Sequence, residues 1–183
     1  MMMNMKAVYV MRHGHKDFAG NLTDEGQQSA AALRPQLPHF ELVVASGYAR
    51  AIQTAQLLSG QDPMIDERAG YPMAPQDVSD TINALAAQKG LSFLEAAHIY
   101  NDALVLSDIG EQAKDLNSLI DELLVKLTDG QWALVVSHDI TIVPAMSQRG
   151  LPGVPIEPLA GYVVSQADGH VTVDKLEKTT PDQ

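Results

Sequence analysis

The chain is expected to fold as a three-layer α/β/α sandwich on a mostly parallel sheet, with an antiparallel hairpin at one edge. Two observations predict this. Short, continuously apolar runs alternate with amphipathic segments of helical periodicity, the pattern of strands buried on both faces and of helices covering them. Near the C-terminus the pattern changes to two alternating runs around Ala167-Asp168-Gly169, an Asp-Gly pair suited to a tight hairpin turn. The 183 residues are expected to form one domain over 1–183.

The elements follow in order. Residues 7–11 (Ala-Val-Tyr-Val-Met) read as a buried strand. Thr23 is suited to cap a helix, with Asp24 and Glu25 in the first turn where the helix dipole favours them; Ala30, Leu33 and Leu37 continue at helical spacing up to Pro38. Residues 42–45 are a second strand, 48–58 a helix and 63–65 a short third strand. Residues 66–78 carry Gly70, Pro72 and Pro75 and read as the longest irregular stretch. Helices are expected over 79–89 and from Ser92, where Ser92 and Glu95 form a capping box. Asp108 and Glu111 suggest a second capping box, followed by an apolar stripe from Leu116 to Leu127 that reads as core. Residues 132–136 are a further strand. The helix after it runs to Gln148, with Pro144 tolerable only near its first turn.

Composition narrows the function. Lys and Arg number 12 against 23 Asp and Glu, a net charge of −11 that argues against nucleic acid or an anionic membrane as partner. The chain has no Cys, which excludes disulfides, thiolate nucleophiles and Cys-based zinc sites. No window approaches the ~20 apolar residues of a membrane-spanning helix and no signal peptide is recognisable, so a cytoplasmic location is expected.

Three strands end in distinctive residues: Arg12-His13-Gly14-His15, Ser46 with Arg50 a turn further on, and Ser137-His138-Asp139. Ligands of open α/β sheets gather at the carboxyl ends of strands, so a shared site explains these endings better than chance. Arg12 and Arg50 offer forked donors suited to phosphate oxygens. A neutral imidazole can attack phosphorus, a second His can donate to phosphoryl oxygens, and a carboxylic acid can protonate the leaving oxygen. No metal or other cofactor is required if the two guanidiniums and a protonated His balance the phosphate charge. His13 and His15 could instead form a metal pair, although Arg12 and Arg50 oppose a cation there. His39, His98 and His170 have no such context and are expected at the surface.

These residues resemble the histidine phosphatase superfamily, the phosphoglycerate-mutase-like family. The resemblance rests on Val10-Met11-Arg12-His13-Gly14, on Leu22-Thr23-Asp24-Glu25-Gly26, on Ser46-Gly47-Tyr48-Ala49-Arg50-Ala51-Ile52-Gln53-Thr54-Ala55, on Gly110-Glu111 and on Val135-Val136-Ser137-His138. It implies that His13 becomes phosphohistidine, with Arg12, Arg50 and His138 completing a phosphate pocket. It further implies that Gly14 lets the backbone approach phosphate and that Ser46 stands at the pocket rim. Tyr48 replaces part of the usual Ser-Pro-Leu loop and puts an aromatic near the entrance, and His15 is a candidate contact to phosphate or substrate. For the general acid the family offers two placements, Asp139 directly after the second His or a Glu after the third strand, here Glu67; Asp139 is preferred. A substrate with a good leaving group, such as phosphohistidine, would need neither. The implied activity is a metal-independent phosphatase acting on a phosphorylated small molecule or a phosphoprotein. A mutase and a non-catalytic phospholigand-binding module of the same fold are the alternatives. The shortness of the 66–108 region disfavours the mutase, which must enclose its intermediate.

Overall fold

The computed structural model describes residues 5–70 and 76–176. Its six strands are β1 (Met5–Arg12), β2 (Leu42–Ala45), β3 (Met64–Ile65), β4 (Trp132–Ser137), β5 (Gly161–Ala167) and β6 (His170–Leu176). They form one sheet in the order β3-β2-β4-β1-β5-β6. β3, β2, β4 and β1 run parallel, and β5 and β6 add antiparallel at the edge. Asp168 and Gly169 both take positive φ in the β5–β6 turn, the conformation that the Asp-Gly pair predicts.

Among the described residues six α-helices accompany the sheet: α1 (Asp24–Leu33), α2 (Ala49–Ser59), α3 (Gln76–Lys89), α4 (Phe93–Tyr100), α5 (Ala103–Lys126) and α6 (Asp139–Gln148). The central strands are apolar on both faces because both are covered. Met11, Val43, Ala45, Leu134 and Val136 pack with Ala30 of α1 and with Ala51, Ala55 and Leu58 of α2. Val8, Val10, Val44, Ala133 and Val135 pack against Leu116, Leu119, Ile120 and Leu123 of α5 and Ile142 and Met146 of α6. The leucine stripe is therefore core, as its spacing predicts. A third cluster joins Ile82 of α3 and Ala96 and Ala97 of α4 to Val105 and Ile109 of α5 and Ile140 of α6.

Four expectations are corrected. The first helix stops at Leu33 and a 3-10 turn covers Arg34–Gln36, because Pro35 lacks an amide proton and cannot continue the α-helical ladder. α3 begins at Gln76 rather than 79, and a 3-10 turn, Glu67–Ala69, interrupts the stretch read as irregular; Pro72 and Pro75 lie outside the described residues. The second capping box does not form. Asn101 ends α4 in a left-handed conformation, and Asp102 caps α5 by accepting from the amides of Leu104 and Val105 at 2.9 and 3.2 Å, leaving Asp108 inside that helix. Pro144 lies in the interior of α6, beyond the first turn. The capping box at Ser92 and Glu95 does form.

Strand register positions the loops that follow. Arg12 pairs with Ser137 in the β1–β4 ladder, and Ala45 with Val136 in the β2–β4 ladder. His13, Ser46 and His138 therefore emerge level at one edge of the sheet. The His13 amide still donates to the Ser137 carbonyl at 3.1 Å, and the Ser46 amide to that of Val136 at 3.2 Å.

Candidate active site

His13 and His138 are 4% and 6% exposed, and their rings meet edge to face with centroids 5.2 Å apart. A guanidinium can only donate, so the bond from Arg50 Nε to His13 Nε2, at 3.1 Å, requires an unprotonated Nε2. The ring proton then sits on Nδ1 and is donated to the Gly14 carbonyl, 2.7 Å away. Burial, with the charges of Arg50, Arg12 and Lys16 nearby, lowers the His13 pKa to about 3. This imidazole is thus neutral, with its lone pair turned toward a guanidinium.

His138 is held similarly. Its Nδ1 faces Arg50 Nη2 at 3.4 Å, and its Nε2 pairs with the buried Ser46 hydroxyl at 2.7 Å. Burial and the neighbouring His13, Arg50 and Arg12 push its pKa well below the ordinary imidazole value. The Ser46 hydroxyl can donate as well as accept, so it can serve either tautomer of His138. Tyr48 stands edge-on to His138 at 5.0 Å between ring centroids, and the Arg50 guanidinium lies 4.4 Å from the Tyr48 ring centre. That contact fixes Arg50 over the histidines.

Arg12 is anchored by the Ile156 carbonyl, which accepts from Nη1 at 2.6 Å; the same Nη1 is 3.8 Å from Asp139 Oδ2. Its Nε is buried with no partner among the described residues. Asp139 is the first residue of α6, at the end of the helix dipole that favours a carboxylate. Glu67 is exposed on the 3-10 turn, apart from this group of contacts. His15 is exposed too; its carbonyl accepts from the Thr23 amide at 3.0 Å. Gly14 has a packing role: a Cβ there would stand 3.2 Å from Leu22 Cδ2 and 3.3 Å from the Gly26 carbonyl oxygen, at the start of α1. His39, His98 and His170 are exposed. Among the described residues no group of three or more His, Asp or Glu side chains is gathered around a possible cation site.

Several contributors escaped the sequence reading. The Gly14 amide donates to Thr54 Oγ1 at 3.1 Å, and the Thr54 hydroxyl donates to the Arg50 carbonyl at 2.7 Å, so one side chain ties the His13 loop to the Arg50 helix. Lys16 adds a third cation: partial burial and the charges of Arg50 and Arg12 lower its pKa. Gly70 packs on His138; its φ is +136°, and a Cβ there would lie 2.7 Å from His138 Cδ2. The Ser137 hydroxyl donates to the Ala69 carbonyl, which fastens this turn beneath His138. The position of Lys16, three residues after His13, was the one local signal for any of these.

The site gathers two guanidiniums and two neutral imidazoles at the carboxyl ends of β1, β2 and β4, with the charge of the exposed Lys16 nearby, an arrangement able to bind an anion and present a nitrogen lone pair to it. The sequence model described as histidine phosphatase superfamily (branch 1) matches residues 8–168. Comparison with curated proteins finds no match. Among solved structures, phosphoglycerate mutase from Bacillus anthracis is similar at 18% identity and TM-score 0.67, covering 96% of this chain and 94% of that one. A mycobacterial glucosyl-3-phosphoglycerate phosphatase is similar at 15% identity and TM-score 0.66, covering 96% and 100%. A mutant phosphoserine phosphatase of Entamoeba histolytica, in complex with phosphoserine, is similar at 16% identity and TM-score 0.60, covering 94% and 96%.

Proposed function

The chain belongs to branch 1 of the histidine phosphatase superfamily, and from that premise we propose that it hydrolyses phosphomonoesters through a phosphohistidine formed on His13. The observation that carries this reading is the pair of opposed hydrogen bonds on His13, Nδ1 to the Gly14 carbonyl and Nε2 from Arg50. They hold the ring neutral with Nε2 unprotonated, and phosphate binding to Arg50 frees its lone pair for attack.

The substrate's phosphoryl oxygens take over the donors of Arg50, and the buried Arg12 Nε is supplied with an acceptor. Lys16 adds to the attraction. Nε2 attacks phosphorus; the N–P bond forms as the bond to the leaving oxygen breaks. His138 donates to a phosphoryl oxygen while Ser46 steadies its other nitrogen. The Asp139 carboxyl delivers a proton to the leaving oxygen, then as carboxylate takes one from the attacking water. Water cleaves the N–P bond, inorganic phosphate leaves and His13 is restored. Asp139 is favoured over Glu67 because it directly follows His138 and stands 3.8 Å from Arg12. Glu67, on the turn that packs on His138, is exposed and makes no hydrogen bond or ion pair to these arginines or histidines among the described residues.

The test is phosphate release from a panel of aryl and alkyl phosphates with chelator present. Turnover that needs no added metal is expected. Saturable binding of these esters with no phosphate released would mark a phospholigand-binding module and overturn the reading.

A further inference from the structure

A cavity of about 410 Å³ opens among α4, α5 and α6, beside the phosphate pocket rather than inside it. Leu94, Leu106, Ile109, Val143, Pro144 and Pro155 give it hydrocarbon walls, and neither His13, His138 nor Arg50 lines it. Two features join it to the reacting groups. Asp139 is part of its wall, and the Asp139 carboxylate is 3.8 Å from Arg12. Pro155 immediately precedes Ile156, whose carbonyl holds Arg12 at 2.6 Å. The cavity thus begins at the side chain that faces the leaving oxygen in the proposed reaction.

We propose that this cavity receives the organic group of the substrate, and that the substrate is the phosphomonoester of an apolar alcohol or phenol carrying no negative charge. The inference rests on the phosphatase reading above and names its substrate class. The volume is within the ~300–1,000 Å³ range of small-molecule sites. The walls reward methylene and aromatic surface taken out of water. Charge supplies the second half of the selection. Glu95 and Asp139 are the acidic residues along the cavity, and the one imidazole there, His98, is exposed. A leaving group bearing a carboxylate would lose hydration against the apolar walls and would lie along the exposed carboxylate of Glu95, a like charge.

Three alkyl phosphates with nearly equal leaving-group reactivity isolate this selection: methyl phosphate, n-hexyl phosphate and 6-phosphonooxyhexanoate. kcat/KM for hexyl phosphate is expected to exceed that for methyl phosphate by at least roughly tenfold, and the terminal carboxylate to remove most of that gain. Val143→Phe, which fills the cavity, should bring the hexyl-to-methyl ratio toward one. Should that variant fail to fold, Glu95→Gln serves: it keeps an oxygen acceptor for the Ser92 cap and should raise the rate on the carboxylated ester relative to hexyl phosphate. Equal kcat/KM for hexyl and methyl phosphate, or ratios that Glu95→Gln leaves unmoved, would overturn this inference alone. No phosphate release from any ester would overturn the phosphatase reading and this inference with it.

Discussion

Arg50 donates from Nε to Nε2 of His13 at 3.1 Å, and its Nη2 lies 3.4 Å from Nδ1 of His138. One planar fork therefore addresses both imidazoles, and its position over the Tyr48 ring limits where it can turn. A lysine would keep the charge and lose the fork. Arg50→Lys is predicted to lower kcat/KM by roughly 10²-fold, within the range for removing one preorganised transition-state donor. Steady-state kinetics on an aryl phosphate checks this. A loss below threefold would mean that charge alone is needed.

Asp139 is the proposed proton donor, and substrates differ in how much they need one. Asp139→Asn should reduce kcat/KM for alkyl phosphates by about 10²–10⁴-fold while acetyl phosphate, whose leaving group is already a stable anion, loses far less. A Brønsted plot of rate against leaving-group pKa measures the contrast. An equal loss across the series would assign Asp139 to binding, through Arg12, and not to proton transfer.

Gly70 supports His138 from behind. Its φ of +136° is costly for any side chain, and the Cβ of an alanine would fall 2.7 Å from His138 Cδ2. Gly70→Ala is predicted to cost about 1–3 kcal/mol of stability through that strain. Displacing His138 should also lower kcat more than it raises KM. Denaturant unfolding and steady-state kinetics together test this, and wild-type values in both would show that the backbone relaxes away from the ring.

Burial of the two imidazoles sets a pH dependence on stability. The folded-state pKa of His13 lies at about 3 against 6.5 for the free group, and His138 moves in the same direction. Between those values the unfolded chain binds protons that the folded chain refuses. The contribution is therefore fully present above pH 6.5 and is lost as the pH falls toward 3, at up to about 1.4 kcal/mol per pH unit for each imidazole. Chemical denaturation at pH 7.5, 6 and 5 should show declining stability in the wild type and a shallower slope in His13→Asn. Parallel slopes would contradict the burial of a neutral His13.

Much of the fold could be read locally. The apolar runs that become β1, β2 and β4 are buried on both faces, so they carry no alternation and stand out; the strand-end residues His13, Ser46 and His138 stand out for the opposite reason, as polar groups where the apolar pattern breaks off. What stayed hidden is long-range or cooperative. Thr54 reads as one more helix residue, and its bond to the Gly14 amide, 40 positions away, exists only after α2 packs on β2 and β4, which brings it to the loop that follows β1. Gly70 looks like punctuation until His138 is placed against it. Asp108 and Glu111 have the spacing of a capping box, but the left-handed break at Asn101 and the cap at Asp102 start the helix a turn and a half earlier, so that pattern falls inside an existing ladder.

In the proposed reaction His13 accepts the phosphoryl group, and a rapid quench with ³²P-labelled substrate, followed by separation of the protein, tests this directly. Stoichiometric label is expected, stable in alkali, lost in acid and absent in His13→Ala. Label that survives acid, label retained by His13→Ala, or turnover with no labelled protein at any time would contradict it.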